Sequence, residues 1–143
     1  MDSKQAAANV WTAFASRNAA SIHEVLTDDV EWIAPKRNST AVALGVTDHM
    51  IGKEAISSFL LNDMPRLFSN GLKIEPISVT AEGDRIVFEQ RHIAVLANGR
   101  TYENDYVFIF EMAKGKVRRI REYMDTYGGH GMVFGDSPPR QIV

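Results

Sequence analysis

A histidine at position 92 and an aspartate at position 125 are the two residues of this chain best suited to proton transfer. Histidine titrates near neutral pH without help. A carboxyl group among aromatic side chains has a raised pKa, because desolvation disfavours its charged form. If the fold brings His92 and Asp125 to one cavity, the sequence predicts that they act there as general acid and general base.

Two tight turns determine which side chains could share such a cavity. Asn98-Gly99 and Lys114-Gly115 are strong hairpin signals, because Gly and Asn adopt positive φ at low cost. The turns divide residues 85–125 into three antiparallel strands. A three-residue loop at 97–99 and a two-residue turn at 114–115 predict three rows across one face of this sheet: His92–Asn104–Asp125, Gln90–Tyr106–Tyr123 and Phe88–Phe108–Arg121.

The mixture of aromatic and polar side chains on this face is typical of a pocket wall. A half-buried sheet whose polar groups hydrogen-bond to one another is the alternative interpretation. In a pocket, Asn104, Tyr106 and Tyr123 could donate hydrogen bonds to an oxygen that gains negative charge during enolisation. Arg121 points to the same face in this register. It is expected to pair with a carboxylate such as Glu31, unless a bulge turns it outward.

The opposite face of the three strands combines charged pairs with apolar residues. Arg91 lies opposite Asp105 and Glu111 lies opposite Arg118, as suits a face in contact with solvent. The apolar residues of this face form a patch too large for a monomer to expose; they are Val87, Ile93, Val95, Val107, Ile109, Ile120 and Met124. We therefore expect a homodimer in which this outer sheet face meets its own copy around a two-fold axis.

The rest of the chain supplies the elements that would cover the pocket face. The predicted order is a helix over 3–18, a short helix from Ser21 to about Leu26, a strand over 30–34, a long loop over 35–50 that forms a rim or lid, a helix that starts after Gly52 and breaks at Pro65, and a strand over 72–80. Helices near the start and an antiparallel meander after them favour an α+β fold, with helices on the concave face of a curved sheet. Trp11 and Phe14 of the first helix are then expected to form the floor of the cavity.

The composition excludes several other classes of function. At 143 residues the chain is predicted to be one domain, with an irregular Gly- and Pro-rich tail over 128–143. A net charge of −2 gives no reason to expect nucleic acid or an anionic membrane as a partner. The chain has no cysteine, and one His with one Asp is too few ligands for a metal site. Because neither a signal peptide nor a membrane-spanning stretch is visible, we expect a cytoplasmic protein.

Several short segments carry a resemblance to a known family. They are DDVEW (28–32), GKEAI (52–56), GRTYENDY (99–106), GKV (115–117) and REYMDT (121–126). In these segments the chain resembles the SnoaL-like branch of the nuclear transport factor 2-like superfamily, over residues 5 to 127. The resemblance implies a small cone-shaped α+β domain, with three helices on the concave face of its sheet. Relatives include steroid delta-isomerase, scytalone dehydratase, limonene epoxide hydrolase and polyketide cyclases, and also proteins that are not enzymes.

The resemblance also suggests roles for particular residues. Asp125 matches the pocket aspartate that ends the last strand in the epoxide hydrolases and cyclases. Trp32 stands where the epoxide hydrolases have a tyrosine that helps hold the attacking water. Gln90 and His92 stand where those enzymes have an arginine and a second aspartate, so their mechanism is not expected in unmodified form. A histidine that faces an aspartate is nearer to the proton-transfer sites of the dehydratases and isomerases.

The sequence therefore predicts a cofactor-independent isomerase, dehydratase or cyclase that acts on a small hydrophobic carbonyl or hydroxylated compound. The catalytic residues would be His92 and Asp125. The residues expected to contact the substrate are Trp11, Phe14, Trp32, Phe88, Gln90, Asn104, Tyr106, Phe108 and Tyr123. Two alternatives are a non-catalytic domain that binds a small ligand or docks a partner protein, and an epoxide hydrolase-like enzyme with a modified catalytic set.

Overall fold

A computed structural model describes residues 2–143. Its helices are α1 (Ser3–Ala15), α2 (Ala19–Glu24), α3 (Ser39–Leu44), α4 (Lys53–Ser58), α5 (Met64–Leu67) and α6 (Thr126–Phe134), and a π-helical segment (Phe59–Asp63) joins α4 to α5. Its strands are β1 (Leu26–Ile33), β2 (His49–Ile51), β3 (Lys73–Glu82), β4 (Arg85–Val95), β5 (Thr101–Ala113) and β6 (Lys116–Met124). Among the described residues, no helix is both long enough and apolar enough to cross a membrane.

The strands form one curved, unclosed sheet in the order β2-β1-β6-β5-β4-β3. The strands from β3 to β6 form the predicted antiparallel meander, and β1 adds to β6 in parallel. The predicted α+β class is confirmed. Pro76 lies at a bulge in the edge strand β3, where its missing N–H costs no ladder hydrogen bond.

Helix α1 covers part of the concave face of this sheet. Asp2 caps the helix, because its side chain accepts a hydrogen bond from the Gln5 N–H at 2.8 Å. Ala7 and Val10, two residues of this helix, are fully buried. The ring of Trp11 stacks on the fully buried Phe110 of β5, with 5.1 Å between centroids. These contacts join the first helix to the centre of the sheet.

The first hairpin of the meander has the predicted register. Gly99 has the left-handed φ of 84°, and its N–H donates to the Leu96 carbonyl at 2.9 Å, which closes the three-residue loop. The pairs His92–Asn104, Gln90–Tyr106, Phe88–Phe108 and Arg91–Asp105 are all confirmed. Arg91 Nε donates to the Asp105 carboxylate at 2.8 Å on the outer face.

The second hairpin has the predicted turn but a different register. Lys114 and Gly115 both have positive φ, 53° and 79°, as a tight two-residue hairpin turn requires. A β-bulge then leaves one extra residue, Arg118, between the β6 partners of Glu111 and Met112. Beyond the bulge, every partner in β6 is displaced by one residue from the prediction.

This displacement exchanges the two faces of β6, because successive side chains of a strand point to opposite sides. Glu122, at the position opposite Phe108, points into the concave face, whereas Tyr123 is 52% exposed on the outer face. The predicted pairs Asn104–Asp125, Tyr106–Tyr123, Phe108–Arg121 and Glu111–Arg118 are therefore wrong; the observed partners of Tyr106, Phe108 and Glu111 are Met124, Glu122 and Arg119.

Residues 35–50, predicted to be an irregular loop, contain two regular elements. Asn38 caps α3 by accepting a hydrogen bond from the Ala41 N–H at 3.0 Å, and Gly45 ends the helix with φ 67°. His49 then begins β2, which pairs with β1. Its Nε2 lies 2.8 Å from the Glu31 carboxylate on the protein surface. A helix of only six residues shows no period in the sequence, which explains why it was missed.

The predicted irregular tail over 128–143 is also partly wrong. Helix α6 occupies residues 126–134, and only the part after it is irregular. Asp125 is the N-cap of α6, since its carboxylate accepts a hydrogen bond from the Gly128 N–H at 2.9 Å. The Ile142 N–H donates to the Ala43 carbonyl at 2.9 Å, which holds the end of the chain against α3.

Candidate functional site

A cavity of about 380 Å³ opens into the concave face of the sheet. Helices and strands both contribute aromatic side chains to its wall: Trp11, Phe14, Trp32, Phe59, Phe68, Tyr106 and Phe108. The rings pack on one another at centroid distances such as 5.8 Å for Phe14 with Trp32 and 4.9 Å for Trp11 with Phe108. Two ionisable residues of the sheet, His92 and Glu122, complete the inner wall. The site is thus apolar with a few inward polar groups, the usual composition of a small-molecule pocket.

Glu122 is the carboxyl group that the fold places inside the cavity. Burial raises its pKa from the usual 4.5 to about 7. The indole N–H of Trp32 donates to Glu122 Oε1 at 2.9 Å, which lowers the pKa again in part because it stabilises the charged carboxylate. A group with this pKa exchanges its proton readily near neutral pH. Glu122 was not predicted to lie in the cavity, since it reaches this face only because the bulge reverses the side-chain directions of β6.

His92 lies in the cavity wall, as predicted, but it does not titrate near neutral pH. It is 6% exposed and stacks on the Tyr106 ring, with 4.0 Å between centroids. Burial lowers its pKa from 6.5 to about 4, so the imidazole is neutral at pH 7. Its Nε2 lies 3.0 Å from Gln90 Oε1, an acceptor, so Nε2 carries the hydrogen and donates it. Nδ1 is then the nitrogen that can accept a hydrogen bond.

A chain of buried hydroxyl and amide groups lies behind His92. The hydroxyls of Tyr106 and Tyr102 are 2.5 Å apart, and the Asn104 amide donates to Tyr102 at 3.1 Å. The same amide donates to the Asp125 carbonyl at 3.1 Å. Burial raises the pKa of Tyr106 well above its usual range, and the nearby Tyr102 and Glu122 raise it further. Burial also raises the pKa of Tyr102, so both phenols stay protonated and remain able to donate.

The remaining predicted residues lie behind the cavity or outside it. Gln90, Asn104 and Phe88 form a layer behind the wall, where Gln90 holds His92, Asn104 holds Tyr102 and Phe88 packs edge-on to Trp11 at 5.6 Å. Tyr123 is on the outer face, and the exposed Asp125 carboxylate caps α6 instead of lining the cavity. The cavity brings together Trp11, Phe14, Trp32, His92, Tyr106 and Phe108.

Arg121 also lies on the outer face, contrary to the predicted register. Its Nε is 3.5 Å from the Glu111 carboxylate. The arginine that pairs with Glu31 is instead Arg119, at 2.7 Å, and Arg119 contacts Glu111 at 3.1 Å as well. Residues 2–143 contain no group of three or more His, Cys, Asp or Glu side chains placed to hold a metal ion.

Gly129 of α6 packs directly on the polar chain behind the cavity. A Cβ atom at this position would lie 3.1 Å from Ser39 Oγ and 3.3 Å from Asn104 Nδ2. We expect Gly129→Ala to destabilise the protein by about 1–3 kcal/mol, because the crowded groups must shift. Gly131→Ala in the same helix meets nothing within 4 Å and is the matched control. It should stabilise by up to about 1 kcal/mol, the ordinary preference of a helix for Ala.

Urea unfolding of the two variants and the parent checks this prediction. The signs of the two changes in the free energy of unfolding should be opposite. If Gly129→Ala stabilises the protein as much as Gly131→Ala, then α6 does not pack tightly against Ser39 and Asn104.

A family model described as a SnoaL-like domain matches residues 7–120 of this chain. The chain therefore belongs to the SnoaL-like family. No curated protein shows a significant sequence match to it.

Solved structures agree with this family assignment. An NTF2-like protein from Burkholderia xenovorans LB400 superposes with a TM-score of 0.75 at 24% identity, over 92% of this chain and 95% of that one. TerC, co-crystallised with polyporic acid, gives 0.73 at 25% identity, over 92% and 97%. A protein assigned as a SnoaL-like polyketide cyclase from Jannaschia sp. CCS1 gives 0.70 at 20% identity, over 94% of both chains. The fold is that of the NTF2-like proteins.

Proposed function

We propose that this protein is a cofactor-independent enzyme that transfers a proton on a small hydrophobic carbonyl or hydroxylated compound, as an isomerase, dehydratase or cyclase. The observation that carries the proposal is Glu122, a carboxyl group with a pKa of about 7 in an aromatic cavity. Near neutral pH such a group is present in both the form that accepts a proton and the form that returns it. Glu122 takes the role predicted for Asp125.

In the proposed reaction, the Glu122 carboxylate removes a proton from the carbon next to a carbonyl group. The C–H bond breaks, its electron pair forms the C=C bond of an enolate, and the proton moves to the Glu122 oxygen. Return of that proton to another carbon gives an isomer. If the substrate carries a hydroxyl on the next carbon, the C–O bond to that hydroxyl breaks instead. The enolate electrons re-form the carbonyl group and make a C=C bond to that carbon, and the hydroxyl leaves with the Glu122 proton as water.

Tyr106 and His92 supply the hydrogen bonds that this step needs. When Tyr102 is the donor in the Tyr102–Tyr106 hydrogen bond, the Tyr106 hydrogen is free to be donated to the substrate oxygen as that oxygen gains charge. Neutral His92 offers Nδ1 as an acceptor for a substrate hydroxyl. Both side chains are held by buried partners, so little reorganisation accompanies the reaction.

Two structural relatives support a small-molecule role. TerC was co-crystallised with polyporic acid, and the Jannaschia protein is assigned as a polyketide cyclase. Exchange of α-hydrogens for deuterium tests the proposal directly. A panel of small aromatic and alicyclic ketones is incubated with the protein in D₂O, and the loss of the α-proton signal is followed by NMR. Exchange above the buffer rate supports an enzyme; binding without exchange of any panel member supports the alternative of a ligand-binding domain.

We also propose that the protein is a homodimer through the outer face of the sheet. Ile120 and Met124 were predicted on this face, but both lie on the concave side, and Ile120 is fully buried. Val107 lies near the centre of the face that remains, between Glu89 and Tyr123. The apolar and aromatic residues of this outer patch are Val87, Ile93, Val95, Val107, Ile109 and Tyr123.

Sedimentation equilibrium at micromolar concentration should give about twice the chain mass of 16.0 kDa. Val107→Glu should shift the protein to the monomer, because it buries an unpaired charge in the proposed interface. Its circular dichroism spectrum serves as the control for folding. A parent protein that sediments at 16.0 kDa contradicts the proposal.

A further inference from the structure

Arg17 is a charged residue of the cavity lining that the proposed chemistry does not use. It follows the C-terminal end of α1, lines the cavity and is exposed, which places it at the mouth. Its guanidinium makes no hydrogen bond or ion pair with any of residues 2–143. Arg66 and Arg91, by contrast, contact carboxylates at 3.1 and 2.8 Å. The cavity mouth therefore presents an uncompensated positive charge.

The backbone at Arg17 is in the left-handed region, with φ 57°. Ser16 is the C-cap of α1, so Arg17 occupies the position after a helix end at which glycine is the usual residue. A side chain at such a position is disfavoured sterically. Residues held in unfavourable backbone regions are frequent at ligand sites, and here the long side chain stands at a cavity mouth.

The other charges of the cavity determine where a ligand anion can lie. Glu122 occupies the inner wall, so a second carboxylate beside it would be repelled when Glu122 is ionised. Asp48 also lines the cavity, and its carboxylate accepts a hydrogen bond from the backbone N–H of Arg37 at 2.9 Å. This backbone donor brings no positive charge, so an anion beside Asp48 would be repelled as well. Of these charged groups only Arg17 attracts an anion, and it does so at the mouth.

We propose that Arg17 binds an anionic group of the substrate, so that the substrate class is a hydrophobic compound with a carboxylate or similar anion at one end. The apolar body would lie against Trp11, Phe14 and Leu72, and the anion would stay in the water-exposed mouth. Arginine suits this role because its planar guanidinium presents two parallel donors to a carboxylate. The inference rests on the proposed function, in that it treats the cavity as the substrate site.

Binding of a matched pair of probes tests the inference. 2-Naphthoate and 2-naphthamide have the same aromatic body and differ in charge, and isothermal titration calorimetry measures the affinity of each. We expect the parent protein to bind the naphthoate about fivefold more tightly, the size of an exposed ion pair of about 1 kcal/mol. The preference should shrink in high salt, because an exposed pair is screened.

Arg17→Gln should remove the preference and leave the affinity for 2-naphthamide unchanged, and Arg17→Lys should restore part of it. Arg37→Gln is the matched control, because Arg37 has the same φ of 57°, is exposed and does not line the cavity. Circular dichroism and thermal unfolding show whether each variant is folded. Equal binding of the two probes by the parent, or no binding of either, would overturn the proposal. So would equal losses of naphthoate affinity in Arg17→Gln and Arg37→Gln.

This test involves no turnover, so its failure is distinguishable from failure of the proposed chemistry. If the charge preference is absent but α-proton exchange depends on Glu122, the enzyme acts on neutral compounds. If the preference is present but neither the ketone panel nor an aromatic keto acid added to it shows α-proton exchange, Arg17 belongs to a binding protein for hydrophobic anions.

Discussion

Glu122→Gln is expected to lower kcat/KM for proton exchange by about 10²- to 10⁴-fold, the range that a positioned general base contributes. The amide has nearly the shape of the carboxyl group and can still accept the hydrogen bond that Trp32 Nε1 donates at 2.9 Å. Binding and folding should therefore survive while the proton acceptor is lost. The initial rate of α-proton exchange, measured at saturating and at low ketone concentration, separates the loss in kcat from any change in KM.

The pH profile of the parent enzyme follows from the same group. As a base, Glu122 acts when deprotonated, so kcat/KM should rise with pH and level off above its pKa of about 7. Trp32→Phe removes a donor that lowers this pKa, so the rise should move to higher pH. A profile that does not move would mean that another group controls the rate.

Two other carboxyl variants test whether the loss of activity is specific to Glu122. Glu24→Gln changes an exposed residue of α2 that does not line the cavity, and it is the matched control for the substitution itself. Asp125→Asn decides between the carboxyl predicted from the sequence and the carboxyl found in the cavity. Asparagine caps helices well, so the variant should stay folded and active. If Asp125→Asn loses as much activity as Glu122→Gln, the assignment of the base to Glu122 is refuted.

The difference between the two carboxyls shows which part of the site could be predicted from sequence. The first hairpin carries Asn98-Gly99, whose preference for positive φ fixes the loop, and the loop fixes the register. That is why His92, Tyr106 and Phe108 were placed on the correct face. The second turn was also correct, but a bulge at Arg118 followed it. A bulge has no strong residue preference of its own, and one extra residue reverses every side chain beyond it.

The missed helices have a related physical reason. Helix α3 has six residues, fewer than two turns, and its caps Asn38 and Gly45 are also ordinary loop residues. Helix α6 contains three glycines, which favour irregular structure when the sequence is considered alone. Here Gly129 is required by close packing on Ser39 and Asn104, and tertiary contact outweighs propensity. The long amphipathic α1 and the alternating strands were predictable because burial imposes their period.

The stability of the parent protein is expected to be nearly independent of pH between about 4.5 and 6.5, because the shifted pKa values of His92 and Glu122 in the cavity wall have opposite effects. Glu122 has a folded pKa of about 7 against a usual 4.5, so the stability it contributes below pH 4.5 is lost as pH rises through 7. His92 has a folded pKa of about 4 against a usual 6.5, so the stability it contributes above pH 6.5 is lost as pH falls through 4. Over the shared window the two slopes have opposite signs and similar size.

Substitution of either group alone should therefore make the free energy of unfolding depend on pH, which it does not in the parent. Glu122→Gln removes the opposing effect of Glu122, so the effect of His92 should raise the free energy of unfolding by about 3 kcal/mol from pH 4 to 6.5, at about 1.4 kcal/mol per pH unit. His92→Gln removes the opposing effect of His92, so the effect of Glu122 should lower the free energy of unfolding by a similar amount from pH 4.5 to 7. Urea unfolding at several pH values measures both.

The quantity to compare is the change in the free energy of unfolding with pH, not its absolute value. His92→Gln also loses the stacking on Tyr106, which lowers stability at every pH. The exposed carboxyls Asp28 and Asp105 have pKa values lowered by Lys53 and Arg91, and they affect the parent and both variants alike. They cancel when a variant is subtracted from the parent at each pH. If stability is as independent of pH in both variants as in the parent, folding does not shift the pKa values of His92 and Glu122. In that case Glu122 also has no reason to titrate near neutral pH, and the proposed base would be lost with it.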